Sequence, residues 1–525
     1  MADLDLTPHL ARNSRSYDAL PYVAEPFPST HPALLGAIAR LFATEAAPVG
    51  EARILELGCA VGGNIIPLAA RHPQATLVGV DLSSAQVAAA RARIADLKLA
   101  NIEIRCQSID DMLDTPDAPF DYIICHGVYS WVPQALRETI LRICRQRLSA
   151  RGIAIVSYNV LPGWRMQQAL RDCFLLHAPP DDDPHHRVTA ARALLQALPQ
   201  ACSDTGVYKE LLAHQAGRLA KFPDAYIAHE FLEDVNEPCT FRDFTDTAAR
   251  HGLAFLAEAD LPTMIPSTFA PATAAFVQSF GRNQILATEQ YIDIVSGRTF
   301  RQTLLVASER AARIDRNLSG ERLEGLHFLG GANFTLTRAA DGATLAEPNG
   351  RRLHTSSAPL GDALAHFVAR FPGSSSFEDL VQALPVVARN AQGRTLVRDL
   401  LSNMVTYGLA TPRTEPVPAA IRAGARPIAC PLVRIDAARG ALSTVNLRHE
   451  RVDFDDFTRF ALPLLDGTRD LAAIRAAIAD GARTGRLAFD RGGVPVRDAA
   501  GQARIAGEKA DALLPMLARA ALLLA

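Results

Sequence analysis

No dense run of Lys and Arg occurs in this chain, and neither sign of charge dominates: 54 basic residues stand against 56 acidic ones, a formal net charge of −2. Nucleic acid or an anionic membrane would meet no strong overall field, and no nucleic-acid partner is expected. The eight cysteines (Cys59, Cys106, Cys125, Cys144, Cys173, Cys202, Cys239 and Cys430) form no C-x-x-C pair. Several sit in apolar, strand-like runs, which points to buried thiols in a reducing, cytoplasmic compartment rather than to disulfides or zinc. No metal is expected. His185 and His186 beside Asp181, Asp182 and Asp183 read as a solvated turn. No apolar run is long enough for a membrane span; the best, residues 512–525, carries Arg519 and reads as a terminal helix. The opening stretch MADLDLTPHLARNSRSY has early acids and no apolar centre, so no secretory signal is expected there.

What is present is an ordinary globular composition, 49% apolar and 21% charged, in 525 residues, enough for three or four domains. Between Ala52 and Asn159, short apolar runs alternate with helical patterns. ARILELG, ATLVGVDLS, NIEIRCQS, FDYIICHG and GIAIVSYN read as strands, and helices open at Gly62, Ser84 and Pro133. This rhythm predicts right-handed crossovers and an α/β, Rossmann-like domain with a mostly parallel sheet, whose strands are apolar throughout because both faces are covered. That domain is expected over residues 46–265, with a helical insertion at 165–228 and a last strand at 253–257. Residues 1–45 are expected to cap it. A mixed α+β middle region is expected at 266–345, then two winged-helix-like units at 346–415 and 416–525.

The sharpest local signal is ILELGCAVGGN, residues 54–64, at a strand-to-helix junction. Gly58 and Gly62 suit a tight turn that a ligand must approach closely, with Ala60 where a further glycine is common. Asp81, closing the second strand beside Leu82, is placed to accept hydrogen bonds from ribose hydroxyls. Ser108, Ile109 and Asp110 at the end of the third strand are placed to meet adenine. The glycines approximate a dinucleotide fingerprint, itself a weak signal. Glu56 argues against a diphosphate, because an acid beside the loop suits a cationic ligand such as S-adenosylmethionine. Cys59 and Asn64 complete the expected cofactor loop.

The order Glu56-x-Gly58, Asp81, Ser108-Ile109-Asp110 resembles the class I S-adenosylmethionine-dependent methyltransferases. YDALPYVAEPFPSTHP, FDYIICHGVYSWVP, SYNVLPGW and HEFLEDVNEP further resemble bacterial methyltransferases that carry a methyltransferase regulatory domain, a group similar to rickettsial lysine methyltransferases of outer-membrane proteins. The resemblance is strong over residues 17–265 and looser to 310; Ala60 departs from the Gly or Asp often found there. It implies a protein substrate, methylation of lysine and a homodimer.

Methyl transfer requires alignment and exclusion of water, and a lysine acceptor must first lose a proton. Candidates near the methyl are His126, Tyr129 and Trp131 after the fourth strand and Tyr158 and Asn159 on the fifth, with Tyr17 and Tyr22 in a lid. Each also has a packing explanation, and no general base is assigned. A small-metabolite methyltransferase and a non-catalytic S-adenosylmethionine-binding regulator are the competing readings. Residues 346–525 carry no nucleotide motif, so cofactor binding is expected to be separable from them.

Overall fold

The computed structural model describes residue 20 and residues 25–178, 183–202, 206–491, 494–496 and 498–524. Its centre is a seven-stranded sheet made by β1 (Arg53–Leu57), β2 (Thr76–Asp81), β3 (Ile102–Cys106), β4 (Phe120–Cys125), β5 (Leu148–Asn159), β6 (Leu253–Glu258) and β7 (Phe300–Ala307). Their order across the sheet is β3-β2-β1-β4-β5-β7-β6. The first five strands pair in parallel, and β7 runs antiparallel to both β5 and β6. Side chains along β1 alternate between two apolar layers: Ile54 packs with Ile38 and Ile66 on one face, Leu55 and Leu57 with Val80 and Ile140 on the other. Covering both faces is what makes these strands near-continuous apolar runs.

The sheet extends past the expected boundary at 265. RTFRQTLLVAS, placed by its sequence in the middle region, is β7 and lies between β5 and β6. Helices Pro271–Gly281 and Ile285–Ser296 carry the chain from β6 to β7. An antiparallel partner is chosen by edge complementarity, which no local pattern reveals. The expected insertion at 165–228 is helical, with Arg165–His177, Pro184–Ala201, Val207–Leu219 and Asp224–Ile227. It has a small core of its own around Leu170, Phe174, Leu195, Leu212 and Phe231.

Six short strands follow: β8 (His327–Leu329), β9 (Thr335–Ala339), β10 (Gly342–Ala346), β11 (Arg352–Thr355), β12 (Ser374–Ser376) and β13 (Thr411–Arg413). β9 to β11 form a meander, whereas β8 lies between β12 and β13. The unit expected to begin at 346 therefore takes its central strand from residue 327 onward, together with helices Ala358–Ala369, Phe377–Ala383 and Ala391–Thr406. The last unit packs helices Pro431–Ala438, Leu471–Arg483 and Ala499–Arg519 around Val433, Ile478 and Leu517.

This last unit is not detached from the sheet domain. Arg93 grips Asp436 in a fork, Nε at 3.0 Å and Nη2 at 2.7 Å. Arg71 Nη2 donates to the Asn446 carbonyl at 3.0 Å, and Arg439 pairs with Asp96 at 2.6 Å. These contacts bear on the expected separability of cofactor binding: residues distant in sequence close over the helices that follow β1 and β2. Among the described residues no helix is long and apolar enough to cross a membrane, and all eight cysteines are free thiols.

Candidate active site

At the carboxyl edge of β1, β2, β4 and β5 lies a cavity of about 630 Å³. One end is built by the turn after β1. Gly58 and Gly62 have φ of +74° and +73°, and a Cβ would come within 2.5 Å of Val128 Cγ2 at the first and of Ile66 Cδ1 at the second. Only glycine fits either position. Ala60 also has a left-handed φ, +49°, a conformation that costs a residue with a Cβ about 1–2 kcal/mol.

The turn is held from β2. The Gly58 and Cys59 amides donate to the Val80 carbonyl at 2.8 and 3.0 Å. Asp81 accepts from the Ala60 amide at 2.8 Å through Oδ2 and from the Ser83 amide at 2.9 Å through Oδ1. Asp81 thus fixes the loop as well as facing the cavity.

Glu56 is 4% exposed. Its Oε1 accepts from Asn64 Nδ2 at 2.7 Å, while its Oε2 is buried without a partner. Burial raises its pKa to about 8, against the lowering effect of Asn64. A buried carboxyl with one oxygen left unpaired beside a glycine cradle suits a cationic donor in the ligand, such as the amine of S-adenosylmethionine, whose charge favours the carboxylate form.

Cys59, Asn64, Leu82, Ser108, Ile109 and His126 join Glu56, Gly58 and Asp81 on the cavity wall. Gly62 lies behind the turn against Ile66. Asp110 is exposed and outside the wall, where it accepts from the Ser108 hydroxyl. The His126 ring is flanked by Phe27 at 4.1 Å and Phe300 at 5.8 Å. Burial lowers its pKa to about 4, so the imidazole is neutral, and Nδ1 has no partner.

The other end of the cavity is aromatic and polar. Trp131, Asn159, Trp164, Phe222, Tyr226 and Glu230 line it. Trp131 Nε1 donates to the His229 carbonyl at 2.9 Å. The two tyrosines expected near the methyl are not on this wall. Tyr158 is fully buried, stacked on Phe244 at 4.1 Å, with its hydroxyl 3.1 Å from Thr303 Oγ1. Tyr129 meets the same Phe244 edge-on at 5.3 Å. The strand alternation that turns Asn159 toward the cavity turns Tyr158 into the core. Tyr17 and Tyr22 lie outside the described residues; Glu25 and Phe27 of the same segment do line the cavity.

Trp164 and Glu230 were not singled out as site residues, although SYNVLPGW and HEFLEDVNEP contain them. Those unusual motifs were the available signal. Phe222 and Tyr226 had none, because the insertion reaches the site only through its tertiary packing.

Three family models match the chain: a methyltransferase domain over residues 54–152, a predicted methyltransferase regulatory domain over 223–307, and the PKMT C-terminal winged helix domain over 425–522. A Rickettsia prowazekii protein, the uncharacterized RP789, is 33% identical over 502 residues, 92% of this chain and 89% of that one. The chain belongs to this methyltransferase family. A second R. prowazekii protein, the uncharacterized RP028, is 35% identical over 45% of this chain and 95% of its own length. The solved structure of PKMT2 from Rickettsia typhi in complex with AdoHcy superposes with a TM-score of 0.82 at 25% identity, covering 96% of this chain and 100% of that one. S-adenosylmethionine is the cofactor, and the protein is an S-adenosylmethionine-dependent methyltransferase.

Proposed function

We propose that this methyltransferase modifies lysine side chains of a protein substrate. The observation that carries the reading is the far end of the cavity, where Trp131, Trp164, Phe222 and Tyr226 present aromatic walls beside the carboxylate of Glu230. An alkyl chain ending in an amine fits such walls: the chain takes the apolar contact and the cation takes the ring faces. Two of the four aromatic walls, Phe222 and Tyr226, come from the end of the helical insertion, and the R. typhi relative whose name is PKMT2 aligns over its whole length.

The cofactor supplies a methyl group on a sulfonium, whose departure as neutral sulfide needs no acid. Glu56, Asn64 and the Gly58 turn would hold its amino-acid half, and Asp81, Leu82, Ser108 and Ile109 its nucleoside. The chain's remaining work is to exclude water and point the acceptor nitrogen along the line of the breaking bond. Neutral His126 between Phe27 and Phe300 forms a dry wall without adding a positive charge.

The test is to incubate the protein with tritium-labelled S-adenosylmethionine and lysate, hydrolyse the protein fraction and separate the amino acids. Label in methyllysine is expected. Label confined to small molecules would establish the metabolite reading instead, and no transfer would favour a non-catalytic binder. A homodimer and a cytoplasmic location belong to the same proposal; a strict monomer by light scattering would remove the former.

A further inference from the structure

Glu230 lies on the wide turn Ala228–Leu232, directly after the helix Asp224–Ile227 that closes the insertion. Its side chain lines the cavity while the residue is only 9% exposed. Asn159, at the end of β5, faces the same space. The two are tied together through Asn236, whose Nδ2 donates to the Glu230 carbonyl at 2.9 Å and whose Oδ1 accepts from Asn159 Nδ2 at 3.1 Å. The backbone of Asn159 is also fixed, its N–H donating to Ser130 Oγ at 2.9 Å. This tether leaves Asn159 Oδ1 buried with no partner. A fully buried amide oxygen without a donor is costly unless a ligand supplies one.

We infer that Glu230 and Asn159 receive the acceptor amine, Glu230 as its proton acceptor and Asn159 Oδ1 as the fixed acceptor for a remaining N–H. The inference rests on the lysine reading and names the groups that would execute it. A lysine enters as an ammonium with no lone pair. One proton passes to the Glu230 carboxylate, leaving a neutral amine and a carboxylic acid. The amine lone pair then forms the nitrogen–carbon bond as the carbon–sulfur bond breaks, and that bond's electron pair stays on sulfur. The product is a methylammonium and a neutral thioether; the Glu230 proton leaves through solvent. Because deprotonation leaves the lone pair facing Glu230, the amine turns about its Cε–N bond before attack, and Asn159 Oδ1 holds an N–H in the turned position.

Burial raises the Glu230 pKa to about 8, opposed by Arg218 and by the Asn159 amide. A base poised near the working pH is what proton abstraction from an amine requires. Arg218 is itself held by Gln167 Oε1 at 2.9 Å. At the same end of the cavity, burial and the nearby Glu230 raise the Tyr226 pKa, so its phenol stays protonated. His126, between Phe27 and Phe300, is lowered to about 4 by burial and is neutral, while Glu56 and Asp81 stand at the cofactor turn. At the aromatic end it is Glu230 that can take the proton as an anion.

The test uses the full chain, tritium-labelled S-adenosylmethionine and heat-denatured lysate protein, with methyllysine measured in single-turnover reactions from pH 6 to 9. Glu230→Gln is expected to lower the rate by at least about 100-fold and to leave the cofactor Kd within about twofold. Glu230→Asp should recover part of the rate and keep the wild-type dependence on pH. In the wild type the rate should climb from pH 6, bend near 8 and approach its plateau at 9. A Glu230→Gln enzyme as fast as wild type overturns the inference while the lysine reading stands. Should that variant fail to fold, a flat wild-type profile across pH 6 to 9 overturns it equally. Absence of methyllysine with the wild type removes both.

Discussion

His449 and Asn64, 385 residues apart, share a hydrogen bond of 2.8 Å: the imidazole Nε2–H of the C-terminal unit donates to the Asn64 side-chain oxygen at the cofactor turn. The same oxygen accepts from the Phe27 amide at 2.9 Å and from Thr30 Oγ1 at 3.3 Å, while the Asn64 amide group holds Glu56. One asparagine therefore joins the N-terminal segment, the first strand and the last unit at the cofactor site. His449 sits there with φ of +66° and is fully buried.

His449→Ala is expected to raise the cofactor Kd by about tenfold, since losing a buried donor loosens Asn64 and, through it, Glu56. Calorimetry on purified full-length protein measures this. A chain ending near Leu345 should lose more, because it also strips Arg71, Arg93 and Asn64 of their partners in the last unit. Unchanged cofactor affinity in either protein would show that the contact is mere packing.

Glu56 gives cofactor binding a pH dependence. Its pKa of about 8 means the free site is largely protonated at neutral pH. A cationic ligand prefers the carboxylate, so affinity should rise from pH 6 to 7.5 with release of a proton. Titrations in buffers of different ionisation enthalpy report that proton. Glu56→Gln should abolish both the slope and the release, and a slope that survives the substitution would contradict this role.

Stability without cofactor should fall as pH rises from 6.5 to 8. Glu56 and Glu230, with pKa values raised to about 8, bind more protons folded than unfolded above their usual 4.5, so their contribution is lost on the way up. His31 and His449 act oppositely: burial, with Arg413 and Arg71 nearby, holds both well below 6.5. Their contribution is complete above 6.5 and is lost as pH drops beneath it. Thermal melts across pH 5 to 8 should therefore show a maximum, with a shallower upper limb in Glu56→Gln. A melting temperature that keeps climbing to pH 8 would refute this balance.

The turn after β1 makes a paired prediction. Gly58→Ala should lower both melting temperature and cofactor affinity, because its Cβ would meet Val128 Cγ2 at 2.5 Å. Ala60→Gly should lower neither, since Ala60 already holds a left-handed φ of +49° that glycine adopts without strain. Asp81→Ala is expected to weaken the cofactor by at least about tenfold and to loosen this turn, because its carboxylate holds the Ala60 amide. If the two glycine-related variants behave alike in differential scanning calorimetry, the backbone account is wrong.

The sequence by itself determined the parallel strands, the glycine turn and the carboxylates of Glu56 and Asp81, because each depends on neighbours a few residues away: apolar runs, a positive φ, a strand end. Tertiary structure decided what depends on distant partners. β7 joined the sheet as an antiparallel strand, Tyr158 turned into the core while Asn159 faced the cavity, and Glu230 arrived on the wall with the insertion. The link from His449 to Asn64 belongs to the same group. The physical reason is range: backbone propensity and side-chain alternation act along the chain, whereas burial, unpaired polar atoms and shifted pKa values arise only when separate segments exclude water together.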